Sequence, residues 1–177
     1  WPYGYNTFYL DVTPYLKEGT KNTLAVRLEN ETESSRWYPG AGLYRNVHLV
    51  VTEDAHIPTW GTQLTTPVVK DDYAKVNIKT TLVVPSGKQF DAYRIVTELK
   101  DKDGKVVTTD EKQGSRFDDN IFSQELVVSR PALWSPETPV LYQAVLELQD
   151  IFLELASLPV HRCVCLYVMY EIHMAVI

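Results

Sequence analysis

Residues 35–47 read S-R-W-Y-P-G-A-G-L-Y-R-N-V, a loop pattern that runs directly into a strand pattern. Pro39 fixes one φ angle, and Gly40 and Gly42 permit backbone conformations that a side chain would forbid. From residue 46 the two faces alternate: one carries Val47, Leu49 and Val51, and the other carries Asn46, His48 and Val50. A period of two is typical of a half-buried strand, so this stretch predicts a turn that leads the chain into a sheet.

The loop also carries the candidate binding residues of the chain, Arg36, Trp37 and Tyr38. Aromatic rings can stack on the C–H face of a sugar, and a guanidinium group can bind hydroxyl or carboxylate groups. A structural role is the alternative, in which Trp37 and Tyr44 fill a core and Arg36 closes a salt bridge. Residue chemistry alone leaves both interpretations open.

Two more strands and one helical turn are predicted on the N-terminal side of this loop. Residues 5–12 and 23–28 alternate, and Thr13 followed by Pro14 predicts an N-cap and first position for a turn that ends at Leu16. With residues 44–52 the block has three strands, whereas a jelly-roll sandwich has about eight. Three strands bury little surface. We therefore expect that a neighbouring chain or the C-terminal tail covers the open sheet.

A second set of strands is predicted after a linker at residues 53–61. Its predicted strands are residues 63–69, 75–84, 90–100, 105–110, 121–129 and a last one at 140–148. The sequence Asp101-Lys102-Asp103-Gly104 predicts a hairpin turn with glycine at positive φ. Short strands at this spacing favour an immunoglobulin-like sandwich, so the whole chain is predicted to be all-β. The antibody-type cysteine pair is missing, so Trp134 is interpreted as an ordinary core residue.

Several of these segments resemble family 2 glycoside hydrolases, the group of β-galactosidases, β-glucuronidases and β-mannosidases. Residues 11–16 (D-V-T-P-Y-L), 22–30 (N-T-L-A-V-R-L-E-N) and 37–47 are similar to the end of the family's sugar-binding β-sandwich domain. Residues 133–142 (L-W-S-P-E-T-P-V-L-Y) resemble the end of its immunoglobulin-like domain. The resemblance covers roughly residues 3 to 150.

The resemblance implies three regions in the chain. Residues 1–55 would be the C-terminal part of the sugar-binding jelly-roll domain, and residues 56–150 the immunoglobulin-like domain. Residues 151–177 would be an anomalous apolar tail, for which we favour a change of reading frame or an appended segment; strands that complete the sandwich are the alternative. In the family, the loop around Arg36, Trp37 and Tyr38 reaches the rim of the active site, so these residues become substrate-rim candidates.

The two catalytic carboxylates are not expected in this chain. In the family both are glutamates on a (β/α)₈ barrel, and no alternation of strands with long helices occurs here. The pairs Asp71-Asp72 and Asp118-Asp119 lie in polar turns, where neighbouring side chains point apart and remain solvated. The resemblance thus implies a non-catalytic accessory region of a β-galactosidase-like enzyme. An independent carbohydrate-binding module and a structural spacer are the alternatives.

Composition excludes several other classes of function. The net charge of −6 argues against nucleic-acid binding, which needs a basic face. The tail is too often interrupted by charged residues and proline to span a bilayer. His161, Cys163 and Cys165 offer three soft ligands, but zinc requires a fourth and a wider spacing, so neither a metal nor another cofactor is expected.

The termini give a further expectation about the origin of the chain. The first residue is Trp1, and no methionine precedes Met169, so we expect a processed product or a fragment. The compartment is not readable from the sequence. The resemblance implies a periplasmic or extracellular parent enzyme that acts on carbohydrate.

Overall fold

The computed structural model describes residues 8–17, 19–29, 42–43, 46–152 and 172–174. It divides the chain into two compact units, Trp1–Val50 and Val51–Ile177. The predicted rim residues Arg36, Trp37 and Tyr38 and the His161–Cys165 group lie outside the described residues.

One 3₁₀ turn, Thr13–Tyr15, is the regular structure in the described part of the first unit. It has Pro14 in its first turn, as predicted, and the Tyr15 N–H donates to the Val12 carbonyl at 2.9 Å. Thr13, however, is not the cap. The Thr13 N–H instead donates to the Asp11 carboxylate at 2.9 Å. Hydrogen bonds from the side chain of Thr13 and then from its backbone N–H lower the pKa of Asp11.

The strands predicted in the first unit are wrong where the structure describes them. Residues 8–12, 23–28 and 46–52 form no strand, and most of their apolar side chains are exposed, for example Leu24 at 64% and Leu49 at 76%. Alternation becomes a strand only when a second strand satisfies the backbone and a second layer covers the apolar face. Neither is found among the described residues of this unit.

Among its described residues, the second unit has seven antiparallel strands in two sheets, which confirms the all-β prediction. The strands are β1 (Thr62–Val69), β2 (Tyr73–Thr81), β3 (Tyr93–Lys100), β4 (Val106–Gln113), β5 (Ile121–Ser129), β6 (Tyr142–Asp150) and β7 (Ile172–Met174). One sheet has the order β1-β2-β5 and the other β4-β3-β6-β7. Pro67 lies in edge strand β1 where the register shifts between Thr65 and Val68, a position where its missing N–H is tolerated.

The core lies between the two sheets and follows the predicted alternation. The inward side chains of β2, β3, β5 and β6 are buried: Val76, Ile78, Thr80, Tyr93, Ile95, Thr97, Leu99, Phe122, Gln124, Leu126, Val128, Tyr142, Ala144 and Leu146. The rings of Phe90 and Phe122 meet with centroids 4.4 Å apart. Burying each such large apolar side chain contributes about 1.5–3 kcal/mol relative to exposure.

Trp134 is not a core residue, contrary to the prediction. It is half-buried in the connection between β5 and β6, whose residues are largely exposed. Tyr142 anchors this connection instead, since its ring is buried and its hydroxyl accepts a hydrogen bond from the Ala132 N–H at 2.8 Å. A tyrosine at this point of the chain that binds the preceding connection is the tyrosine corner of immunoglobulin-like sandwiches.

The predicted hairpin turn joins β3 and β4. The Gly104 N–H donates to the Asp101 carbonyl at 3.0 Å, and Gly104 has a φ of +80°, which glycine adopts without strain. The Asp101 carboxylate accepts hydrogen bonds from the N–H groups of Asp103 and Lys105, each at 3.0 Å. The Asp101 side chain therefore stabilises the turn by accepting backbone hydrogen bonds, as aspartate commonly does in turns.

The tail contributes one described strand to the sandwich. Strand β7 pairs with the edge of β6, with Met174 opposite Tyr142 and Ile172 opposite Ala144. The origin of residues 151–177 stays a prediction.

Candidate functional site

The substrate-rim prediction for Arg36, Trp37 and Tyr38 stays a prediction, because these residues lie outside the described part of the chain. Their nearest described neighbours are Glu29 on one side and Gly42 on the other. Arg27 and Glu29 form an exposed ion pair at 2.6 Å. An exposed ion pair of this kind contributes little to stability, and it indicates no binding or catalytic role for the loop.

The two acidic pairs are solvated turn residues, as predicted. Asp71 and Asp72 are exposed in the β1–β2 turn, where the Asp72 carbonyl accepts a hydrogen bond from the Arg130 N–H at 2.7 Å. Asp118 and Asp119 are exposed in the β4–β5 loop. Adjacent carboxylates in exposed turns lack the desolvation that prepares a general acid for catalysis.

Other carboxylates of the second unit bind neighbouring cations on the sheet surface. The Lys75 ammonium group binds Glu125 at 2.7 Å across β2 and β5, and this hydrogen bond raises the pKa of Lys75. Asp103 raises the pKa of Lys102 in the same way, at 2.8 Å. These are exposed pairs between chain neighbours or adjacent strands. Their pKa shifts come mainly from the hydrogen-bonded carboxylate, with smaller contributions from Tyr73 and Asp101, and not from burial in a cleft. That is the pattern of surface ion pairs.

An open pocket of about 260 Å³ lies beside the β4–β5 loop, on the outer face of the three-stranded sheet. It is lined by Lys79, Phe117, Asp118, Asp119, Ile121 and Ser123. The Phe117 side chain is 96% exposed. Sequence reasoning used this loop only for its acidic pair and missed the phenylalanine, although an aromatic residue inside the polar run Ser115-Arg116-Phe117-Asp118-Asp119-Asn120 was the available signal.

The described residues contain neither a metal-binding cluster nor a membrane-spanning helix. Within them, no three His, Cys, Asp or Glu side chains approach closely enough to hold a metal ion. No helix in the same residues is both long and apolar enough to cross a membrane.

Comparison with known proteins identifies relatives of the chain. A sequence model described as Glycosyl hydrolases family 2 matches residues 55–153. The chain is 42% identical over 147 residues to Beta-galactosidase BoGH2A of Bacteroides ovatus, which covers 81% of this chain and 17% of that protein. The chain therefore spans about a sixth of that relative.

Two solved structures share the fold. A glycosyl hydrolase family 2 member from Bacteroides cellulosilyticus is 33% identical with a TM-score of 0.50, over 56% of this chain and 13% of that one. A β-glycosidase from Bacteroides vulgatus is 26% identical with a TM-score of 0.55, over 64% of this chain and 14% of that one.

The family match coincides with the sandwich, since residues 55–153 contain strands β1 to β6 and more than half of the chain. The chain belongs to family 2 of the glycoside hydrolases.

Proposed function

We propose that this chain is a non-catalytic accessory region of a β-galactosidase-like enzyme that hydrolyses O-glycosyl bonds. One observation carries the proposal: the family match falls on a β-sandwich whose acidic pairs are solvated in turns. Glycoside hydrolysis normally needs two carboxylates that face each other across a sugar, about 5–5.5 Å apart for retention or 6.5–9.5 Å for inversion. Asp71-Asp72 and Asp118-Asp119 do not meet that need, because each pair is exposed and adjacent in sequence.

The coverage of the relatives supports the same proposal. The match to the Bacteroides ovatus protein spans 17% of its length, which leaves ample chain in that relative for a catalytic barrel. Because that relative is named a β-galactosidase, a β-galactoside is the favoured substrate of the parent enzyme. The partner of the sandwich would then be the barrel, which follows the immunoglobulin-like domain in the family.

The role of the sandwich would be to position other parts of the enzyme. Its core holds two sheets in a fixed arrangement, and a rigid spacer of this kind can set the place of a neighbouring domain. Arg36, Trp37 and Tyr38 would lie at the rim of the active site, where the rings stack on sugar and the guanidinium binds hydroxyl groups. The exposed apolar residues of the first unit, such as Leu24 and Leu49, would contact further strands or a second copy.

Turnover of a chromogenic β-galactoside tests the proposal. The purified chain is expected to release no more chromophore than buffer, because on this proposal the facing carboxylates lie in the barrel domain. The full-length Bacteroides ovatus relative, assayed in parallel, serves as the positive control. Hydrolysis by the chain that survives repurification and disappears on heating would refute the accessory role.

A further inference from the structure

Phe117 is a large apolar side chain placed in water at the tip of the β4–β5 loop. Its side chain is 96% exposed, so the ring gains almost none of the stabilisation that buried aromatic residues of the sandwich obtain. Exposed apolar residues are common singly, so exposure alone assigns no role. The loop that carries Phe117 and the pocket beside it supply the further observations.

The loop, residues 114–120, is fixed by hydrogen bonds along its whole length. The Asp118 N–H donates to the Ser115 carbonyl at 3.0 Å, and the Phe117 N–H to the Ser115 hydroxyl at 3.3 Å. The Asn120 N–H donates to the Asp118 carbonyl at 2.8 Å, and the Asn120 carbonyl accepts from Leu82 of the sheet at 2.8 Å. Asn120 has a φ of 58°, a left-handed conformation that asparagine tolerates well.

The start of the loop is anchored equally firmly. The Gly114 N–H donates to the Tyr93 carbonyl at 2.9 Å, and a Cβ at position 114 would lie 2.2 Å from the Phe90 carbonyl oxygen. The Arg116 guanidinium binds the carboxylate of Asp91, which lies in the 3₁₀ turn Phe90–Ala92 before β3. The ring of Phe117 is thus presented by a constrained backbone, which reduces the entropy lost when a ligand binds.

The pocket beside the ring is polar and shallow. Lys79 and Ser123, which face each other on β2 and β5, offer an ammonium and a hydroxyl group, and Asp118 and Asp119 offer carboxylate oxygens. Its volume of about 260 Å³ lies below the roughly 300–1,000 Å³ typical of pockets that enclose drug-sized ligands. Such a site suits one small unit held on its face rather than an enclosed molecule.

We propose that Phe117, Lys79, Asp118, Asp119 and Ser123 form a surface site for a neutral glycan. One sugar ring would stack its C–H face on Phe117, and its hydroxyl groups would donate to the carboxylates and accept from Lys79. Two carboxylates disfavour an anionic ligand, and Ile121 is the one other apolar residue in the lining, which disfavours an apolar peptide. The choice of a glycan rests on membership of a glycoside hydrolase family, and the site does not require the chain to be inactive.

An NMR titration of the full 177-residue chain tests the site. The probes are a thio-linked galactobioside, which resists hydrolysis, and cellobiose as a second neutral glycan. We expect amide shifts confined to Lys79, Ser123 and residues 116–121. Phe117→Ala is expected to weaken binding about tenfold, which corresponds to about 1.4 kcal/mol, whereas Phe117→Tyr keeps the ring and retains binding.

Phe152→Ala is the matched control, because Phe152 is also exposed, at 58%, and lies outside the pocket. It is expected to bind like the wild type. Phe117→Ala should retain the wild-type melting temperature, because the ring makes almost no buried contact. Absence of shifts with both glycans, shifts elsewhere on the surface, or binding unchanged in Phe117→Ala would each overturn the site. Hydrolysis of an ordinary galactoside would refute the accessory role and leave the titration with the thio-linked probe unaffected.

Discussion

Tyr142 links the core of the sandwich to a surface connection, because its ring is buried and its hydroxyl group binds the backbone of that connection. Its ring is buried at the start of β6, and its hydroxyl accepts the Ala132 N–H at 2.8 Å. The hydrogen bond fixes residues 130–141, which have few buried side chains of their own. Trp134, the more conspicuous residue in the sequence, is only half-buried in that connection. The anchor of the connection is therefore the tyrosine and not the tryptophan.

Tyr142→Phe is expected to lower the free energy of unfolding by about 0.5–1.5 kcal/mol, because the Ala132 N–H loses its acceptor while the ring stays in place. Urea denaturation followed by fluorescence measures the change. Tyr73→Phe is the control: Tyr73 is half-buried at the start of β2, and its substitution should change stability by less than about 0.5 kcal/mol. Equal effects of the two substitutions would contradict the anchor.

At the scale of elements, a buried polar contact joins the two sheets. The Thr97 hydroxyl of β3 donates to the Gln124 side-chain carbonyl of β5 at 2.8 Å. The Gln124 amide donates in turn to Asp110 of β4, at 3.1 Å to the backbone carbonyl and 3.0 Å to the carboxylate. Thr97 and Asp110 are register partners within their sheet. The contact therefore ties one strand of the three-stranded sheet to two adjacent strands of the other, at one relative position.

A double-mutant cycle tests the contact between the sheets. Gln124→Leu alone should cost about 1–3 kcal/mol, because Thr97 and Asp110 are left without a buried partner. Adding Thr97→Val should cost less than the sum of the single substitutions, with a coupling of at least about 0.5 kcal/mol, since one orphaned hydroxyl is removed as well. The cycle is measured by urea denaturation of all four proteins. Strict additivity would show that the contact does not couple the sheets.

At the scale of the whole molecule, the two units differ in how well the sequence predicts them. In the second unit, alternation from β2 to β6 coincides with partner strands and a facing sheet, so the predicted inward residues, such as Ile78 and Leu126, are buried. In the first unit, the same alternation at Leu24, Val26 and Leu28 leaves all three side chains exposed. A local pattern selects which face would be buried, but burial itself depends on a second layer that the pattern does not contain.

The candidate site was less predictable than the fold. Arg36, Trp37 and Tyr38 were selected by residue type and by resemblance, and they lie outside the described residues. Phe117 was not among the predicted site residues, because the alternation of apolar residues identifies strands and gives no information about loop residues. Its proximity to Lys79 and Ser123 depends on the pairing of β2 with β5, which places these two residues opposite each other although they are 44 positions apart in the sequence. A site assembled by strand pairing combines residues that are far apart in sequence, so local sequence patterns do not predict it.

The accessory role can be tested most directly with a mechanism-based label. An activated 2-deoxy-2-fluoro-galactoside forms a lasting glycosyl ester with the nucleophile of a retaining glycosidase, and intact-mass spectrometry detects the adduct. The 177-residue chain is expected to keep its unmodified mass, while the full-length Bacteroides ovatus β-galactosidase, if it acts by retention, gains one sugar. A stoichiometric adduct on a single carboxylate of this chain would show that the chain itself carries a catalytic nucleophile and would refute the accessory role.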